Sequence, residues 1–168
     1  LSSTPAFTSG PIKLPQGHIG IIAAHHNNII GRNGLIPWQG LAPIDVNFFQ
    51  QTVANSTLIM GRRTFDETKS TMGVGGGVPN CNNVVVTRQG INETPSNTVF
   101  IENGYEDAIR RSLEINSSSN EGVWVVGGSD IYAKAINDRR CRVLVLTQIF
   151  DHDPHGGTRG VIRRFPVD

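Results

Sequence analysis

The chain has 168 residues, which suits one domain. Its 15 basic and 14 acidic side chains leave a formal net charge of +1, so a basic face for coating nucleic-acid phosphates is not expected. A hydrophobic content of 38% supports a core and argues against disorder, and without an apolar run of about 18 residues no membrane span is expected.

Residues 1–17 are rich in Ser, Thr, Pro and Gly and read as an N-terminal tail with little fixed structure, leaving 18–168 as the domain. Residues 19–24 are a short apolar run, as expected of a buried strand. Residues 29–38 carry Asn-Gly and Pro and read as a long loop. Residues 43–53 read as a helix with Pro43 in its first turn and Val46, Phe49 and Val53 on one face. A strand over 57–60 and a short helix over 62–67 follow, then a glycine-rich loop over 70–80. Strands are expected over 83–87 and 98–101, an amphipathic helix over 105–115 and a polar linker over 116–120. A strand over 123–126, a short helix over 130–136 and a strand over 142–150 complete the pattern; 151–168 is polar and unpatterned. Apolar strands separated by helices predict an α/β fold with a mostly parallel sheet and helices on both faces.

The two cysteines, Cys81 and Cys141, make no disulfide framework, and no signal-peptide pattern opens the chain, so a reduced, cytoplasmic protein is expected. His152 and His155 read as loop histidines without a ligand cluster, so no metal is expected. The sequons at Asn55, Asn92 and Asn116 read as chance occurrences.

In a parallel sheet, ligands bind at the carboxyl ends of the strands. Three of those ends carry anion-binding equipment: Gly61-Arg62-Arg63-Thr64 at a helix N-terminus, Arg88 after the third strand, and Gly127-Gly128-Ser129 after the fifth. Each alone also reads as ordinary turn chemistry. Together they point to a nucleotide with an extra phosphate, such as the 2′-phosphate of NADPH. Asp45 lies one turn before Phe49 and shares the apolar face of its helix. It reads either as a poorly solvated carboxylate with a raised pKa, or as a solvated acid favoured by the helix dipole.

These pieces resemble dihydrofolate reductase, in that family's order. They are Ile-Ile-Ala-Ala (21–24), Ile-Gly-Arg-Asn-Gly-Leu-Ile-Pro-Trp (30–38), Asp45 with Phe49, Leu-Ile-Met-Gly-Arg-Arg-Thr-Phe (58–65), Asn-Val-Val-Val-Thr-Arg (83–88), Val-Val-Gly-Gly-Ser-Asp-Ile-Tyr (125–132) and Leu-Thr-Gln-Ile (146–149). The resemblance implies a three-layer αβα fold and an NADPH-dependent oxidoreductase of tetrahydrofolate biosynthesis and one-carbon metabolism. It implies that Asp45 is the active-site acid that hydrogen-bonds the ring and assists its protonation, with Thr147 supporting it. It places Ile22, Ala23, Ile36, Trp38, Phe49 and Val78 against the substrate. Ala24, Ile30, Gly31, Gly61, Arg62, Arg63, Thr64, Thr87 and Arg88 would bind the cofactor, with Gly127, Gly128, Ser129, Asp130, Ile131 and Tyr132 as its second segment. The physical logic agrees: the cofactor carries the hydride chemistry, and the protein aligns it and supplies a buried acid.

The departures are specific. The family's arginine that grips the glutamate carboxylate of folate aligns with Cys81, and a thiol cannot replace a guanidinium–carboxylate pair. Glu67 stands where the family usually has a small polar residue near the substrate; its charge would repel a glutamate tail. His25 reads as a loop histidine or as a new titratable group near the site. The final strand pair of the family is missing after Phe165-Pro166, so an open edge is expected beside the strand over 142–150. Either the chain continues, or a partner chain, a homodimer contact or the N-terminal tail covers that edge. Besides the preferred reductase, two readings remain open. One is a relative repurposed for a non-folate substrate, including non-redox acid–base chemistry through Asp45 and His25. The other is a catalytically silent nucleotide-binding partner protein.

Overall fold

The computed structural model describes residues 11–32, 43–72, 76–89, 98–149 and 162–166. In chain order the elements are β1 (Ile19–His25), β2 (Ile29–Arg32), α1 (Pro43–Val53), β3 (Thr57–Gly61), α2 (Arg62–Met72), β4 (Asn82–Val86), β5 (Val99–Glu102), α3 (Tyr105–Ile115), β6 (Val123–Gly127), α4 (Ser129–Ile136), β7 (Cys141–Gln148) and β8 (Ile162–Arg164). Six strands form one sheet in the order β5-β4-β3-β6-β1-β7, and every neighbouring pair is parallel. The strands read as near-continuous apolar runs because helices cover both faces. Alternate residues feed two cores. Ile59, Val84, Val123 and Val125 pack with Ala108 and Ile109 of α3 and Ile131 and Ala135 of α4. Leu58, Met60, Val85 and Trp124 pack with Phe49 and Val53 of α1 and Phe65 of α2. The chain runs outward from β3 to β5, then returns to place β6 between β3 and β1, so the cleft opens where the winding reverses.

Four local expectations are corrected. The segment expected as an N-terminal tail enters the core at its end: Leu14 is buried with Trp124 and Val53 because it is apolar and sits beside Gly20 and Gly122, which leave it room. Helix α2 runs on to Met72, past the expected end at 67. The start of the expected loop over 29–38 is the strand β2, which pairs antiparallel with β8 from the segment read as unpatterned. Local periodicity cannot announce a strand whose partner lies more than a hundred residues away. Phe165, directly after β8, is 2% exposed and meets the Tyr132 ring at a centroid distance of 5.0 Å.

β7 is the last strand in the sheet order among the described residues, and Leu144 and Leu146 on it are exposed. Its amino end is tied down by a polar cluster. Tyr105 Oη donates to Asp138 Oδ2 at 2.8 Å, and Arg140 bridges Asp138 and Glu106. The Arg140 hydrogen bond is the main cause that holds the Asp138 carboxyl below its usual range.

Candidate active site

A cleft of about 990 Å³ lies at the carboxyl ends of the strands. Asp45 and Thr147 line it, as do Ile22, Ala23, Phe49 and Val78 from the expected substrate set. Ala24, Ile30, Gly31, Gly61, Arg62, Arg63, Thr64, Thr87 and Arg88 line the same space, together with the run from Gly127 through Gly128, Ser129, Asp130 and Ile131 to Tyr132. Ile36 and Trp38 lie outside the described residues.

One half of the cleft is cationic. β3 ends at Gly61 and α2 begins at Arg62, so both arginines and Thr64 stand in the first turn, where unpaired backbone N–H groups already favour an anion. Arg62 Nε also donates to Asp66 one turn on at 3.0 Å, an exposed pair that holds the guanidinium on this helix face. β4 delivers Thr87 and Arg88, and Thr87 Oγ1 donates to Gln89 O at 2.6 Å, closing the turn that carries Arg88. β6 ends at Gly127, whose φ of 136° suits glycine alone; a Cβ there would sit 3.0 Å from Thr64 Oγ1. Gly128 caps α4 without a side-chain hydrogen bond, and the buried Ser129 Oγ has no hydrogen-bond partner among the described residues. Lys134, in the last turn of α4, adds a further cation that the motifs did not single out.

The other half is apolar and acidic. Asp45 stands in the first turn of α1, where the helix dipole favours a carboxylate. Thr147 pairs in register with Ala24, so the two share the sheet face that α1 covers. Phe49, one turn after Asp45, and Phe48 and Val46 add apolar wall. Opposite them, Val78 is held by one side chain: its N–H donates to Asn83 Oδ1 at 2.8 Å, and Asn83 Nδ2 donates to the carbonyls of Val78 and Cys81 at 3.2 and 3.0 Å. Thr68 fastens the same turn to α2, accepting from the Gly77 N–H at 2.6 Å while donating to Phe65 O at 2.6 Å. A Cβ at Gly77 would meet the Asn83 side chain at 2.8 Å.

The departures fall into two kinds. Cys81 is 4% exposed, donates its thiol to Val53 O at 3.1 Å and does not line the cleft; burial pushes that thiol up. Glu67 does line the cleft, from α2, and burial lifts its carboxyl to about 7 against the pull of Arg63. His25 also resolves into structure: it is 7% exposed, and its Nδ1 accepts the Asn28 N–H at 3.0 Å, closing the turn between β1 and β2. Burial and then the neighbouring His26 lower its pKa. Tyr132 is a strut as well as lining. Its buried hydroxyl lies 2.8 Å from the carbonyls of both Ile22 and Val126, tying α4 to β1 and β6. Burial, then the negative charges of Glu67 and Asp45, push the Tyr132 phenol up and keep it neutral.

Some of the architecture gave no motif signal. Thr68 and Arg163 sit in ordinary contexts in the sequence; Arg163 lines the cleft because β8 places it beside Gly31. The sequon residue Asn116 is buried, with its amide donating to Glu121 O at 2.6 Å, so it serves the fold. Among the described residues no group of His, Cys, Asp and Glu could hold a metal ion, and no helix is long and apolar enough to cross a membrane.

Known proteins resemble the chain along this same stretch. The family model described as dihydrofolate reductase matches residues 18–159. A type 3 dihydrofolate reductase of Salmonella typhimurium is 32% identical over 138 residues, covering 78% of this chain and 71% of that protein. Dihydrofolate reductase HdrB of Haloferax volcanii is 29% identical over 140 residues, with 83% and 68% covered. The mouse dihydrofolate reductase is 30% identical over 144 residues, with 77% and 71% covered. With the strand order, the two-part cleft and these likenesses in agreement, the chain belongs to the dihydrofolate reductase family.

Proposed function

We propose that this chain is an NADPH-dependent reductase of a dihydrofolate-type ring. One observation carries the reading: a single cleft holds Asp45 and Thr147 at one end and Arg62, Arg63 and Arg88 at the other. The residues present fit the cofactor. Ser129 Oγ, without a hydrogen-bond partner among the described residues, and the uncapped start of α4 line the same cleft as three arginines, which suits a pyrophosphate and a further phosphate.

NADPH, when bound, supplies the hydride. The protein's own part is positioning and proton handling. Arg62, Arg63, Thr64 and Arg88 hold the phosphate end, with Ser129 at the helix terminus. Ala24, Ile30 and Gly31 also line the cleft and would hold the nicotinamide. Phe49, Ile22 and Val78 exclude water from the ring and align it. The Asp45 carboxylate accepts ring N–H donors and assists protonation, while Thr147 supports that carboxylate. A cytoplasmic setting belongs to the same reading, supported by two free cysteines, one of them buried.

The test is NADPH oxidation in the presence of dihydrofolate, followed by the loss of NADPH absorbance. The reading expects oxidation that requires both the protein and dihydrofolate. Protein that binds NADPH yet oxidises none with dihydrofolate would contradict it.

A further inference from the structure

We propose that Arg163 is a further cofactor-binding residue, a cation that holds the diphosphate bridge of the dinucleotide from the β2–β8 side of the cleft. This rests on the reductase reading and deepens it. The chain builds that side from a tight turn. Asn27 and Asn28 have positive φ, 50° and 64°, and His26 and Ile29 exchange backbone hydrogen bonds of 3.0 and 2.9 Å around them. Two adjacent residues of positive φ are what a two-residue hairpin turn requires, and asparagine tolerates that conformation. The turn folds β2 back from β1, and its carbonyls clip β8 in place. Asn28 O accepts the Phe165 N–H at 2.7 Å, and Asn27 O accepts from the Arg164 guanidinium at 3.3 Å.

Side chains alternate between the two faces of a strand. Arg164 is exposed on one face, so Arg163 and Phe165 on either side of it share the other. Phe165 is buried on that face against Tyr132 of α4, and Arg163, half-buried, lines the cleft. Gly31 stands opposite Arg163 in register and brings no side chain to the shared face.

The sheet order sets where this cation stands. Along the carboxyl edge β4, β3, β6 and β1 follow one another. β4 and β3 deliver Arg88, Arg62 and Arg63, β6 delivers Gly127 and the start of α4, and β1 leads through the turn to β2 and its partner β8. The start of α4 therefore has three arginines on one side and Arg163 on the other. Tyr132 joins the last two: it lies one turn after Ser129 on α4, and its ring packs on Phe165, two residues from Arg163. The Ser129 hydroxyl, without a hydrogen-bond partner among the described residues, lines the same cleft. A phosphorylated dinucleotide carries a phosphate monoester at one end and a diphosphate in its middle. Arg62, Arg63 and Arg88 suit the monoester. A helix start flanked by Arg163 suits the diphosphate, since backbone N–H groups and a guanidinium both donate to phosphate oxygens.

The experiment is calorimetric titration of the protein with three ligands. They are NADPH, 2′-phospho-ADP-ribose, which keeps the bridge and lacks the nicotinamide, and adenosine 2′-phosphate, which lacks both. Arg163→Gln should weaken NADPH and 2′-phospho-ADP-ribose alike, by about 10- to 100-fold, and leave adenosine 2′-phosphate within about twofold. Arg164→Gln, on the outer face of the same strand, should leave all three within about twofold. The assignment is overturned if Arg163→Gln leaves NADPH binding unchanged, or if it weakens NADPH but not 2′-phospho-ADP-ribose. It is equally overturned if adenosine 2′-phosphate is weakened as much as NADPH, or if Arg164→Gln causes the same loss. Wild-type protein that binds none of the three ligands would overturn the reductase reading itself, and the role of Arg163 with it.

Discussion

At the proposed cofactor end of the cleft the cations stand on strand ends and helix starts: Arg62 and Arg63 after β3, Arg88 after β4. At the proposed substrate end the side chains come from helix walls and a turn: Asp45 on α1, Glu67 on α2, and Val78 held by Asn83. The first arrangement uses backbone geometry that the sheet provides wherever a parallel strand feeds a helix. The second depends on side chains placed one by one, with a network behind them. On the proposed reading, recognition of phosphate is built into the topology, whereas recognition of the ring can drift residue by residue while the fold stays the same.

Substitutions at the two ends should separate these roles. The largest effect is expected from Asp45→Asn, which keeps the shape and removes the acid. Turnover should fall by about 10²- to 10⁴-fold, while the NADPH dissociation constant stays within about twofold. Equal loss of both would place Asp45 at the wrong end. At the other end, Arg88→Ala removes an exposed guanidinium from the cleft rim. NADPH should bind about 10- to 100-fold more weakly, from the loss of one charged hydrogen bond of roughly 1.5–3 kcal/mol, with ring binding nearly unchanged. NADPH affinity that survives the change would remove Arg88 from the phosphate site.

Asn83→Ala tests the support behind the substrate wall. It strips the buried Val78 N–H and the Val78 and Cys81 carbonyls of their partner. A stability loss of about 1–3 kcal/mol is expected, read as a lower Tm, and the ring should bind less tightly while NADPH does not. An unchanged Tm would mean the turn holds without it. The smallest effect concerns Glu67 and stability. Its carboxyl is raised from the model-peptide 4.5 to about 7, so the folded state holds the proton more tightly than the unfolded chain. Stability is therefore lost as pH rises from about 4.5 through 7, where the folded carboxyl gives up its proton. Because the side chain is part-exposed, the effect is about 1 kcal/mol. Glu67→Gln should flatten that slope in Tm against pH; an identical slope in the two proteins would contradict the assignment.

Much of this contrast was legible from the residues themselves. Gly61-Arg62-Arg63-Thr64 and Gly127-Gly128-Ser129 announce the cofactor end because backbone turns at strand ends need particular residues at particular spacings. Asp45 and Phe49 were legible for a similar reason, the helical spacing of an acid and a ring on one face. The rest was hidden because it depends on distant partners. Thr68 looks like any helix threonine until Gly77 is folded against it. β2 is a loop by composition and a strand only because β8 returns to it. Leu14, in a segment composed like a tail, is core because Gly20 and Gly122 leave a space it fills. Cys81 shows the converse: aligned with a ligand-gripping position, it is folded inward onto the Val53 carbonyl.

The division of the cleft is tested most directly by stepwise titration of the isotopically labelled protein, observed amide by amide in solution. NADPH added alone should shift Arg62, Arg63, Thr64, Arg88 and Ser129, leaving Asp45, Phe49 and Val78 nearly in place. A pterin added next should shift Asp45, Phe49, Val78 and Thr147. If NADPH alone moved the Asp45 set as strongly as the arginine set, or if the pterin moved neither, the two-ended cleft would be the wrong description of this protein.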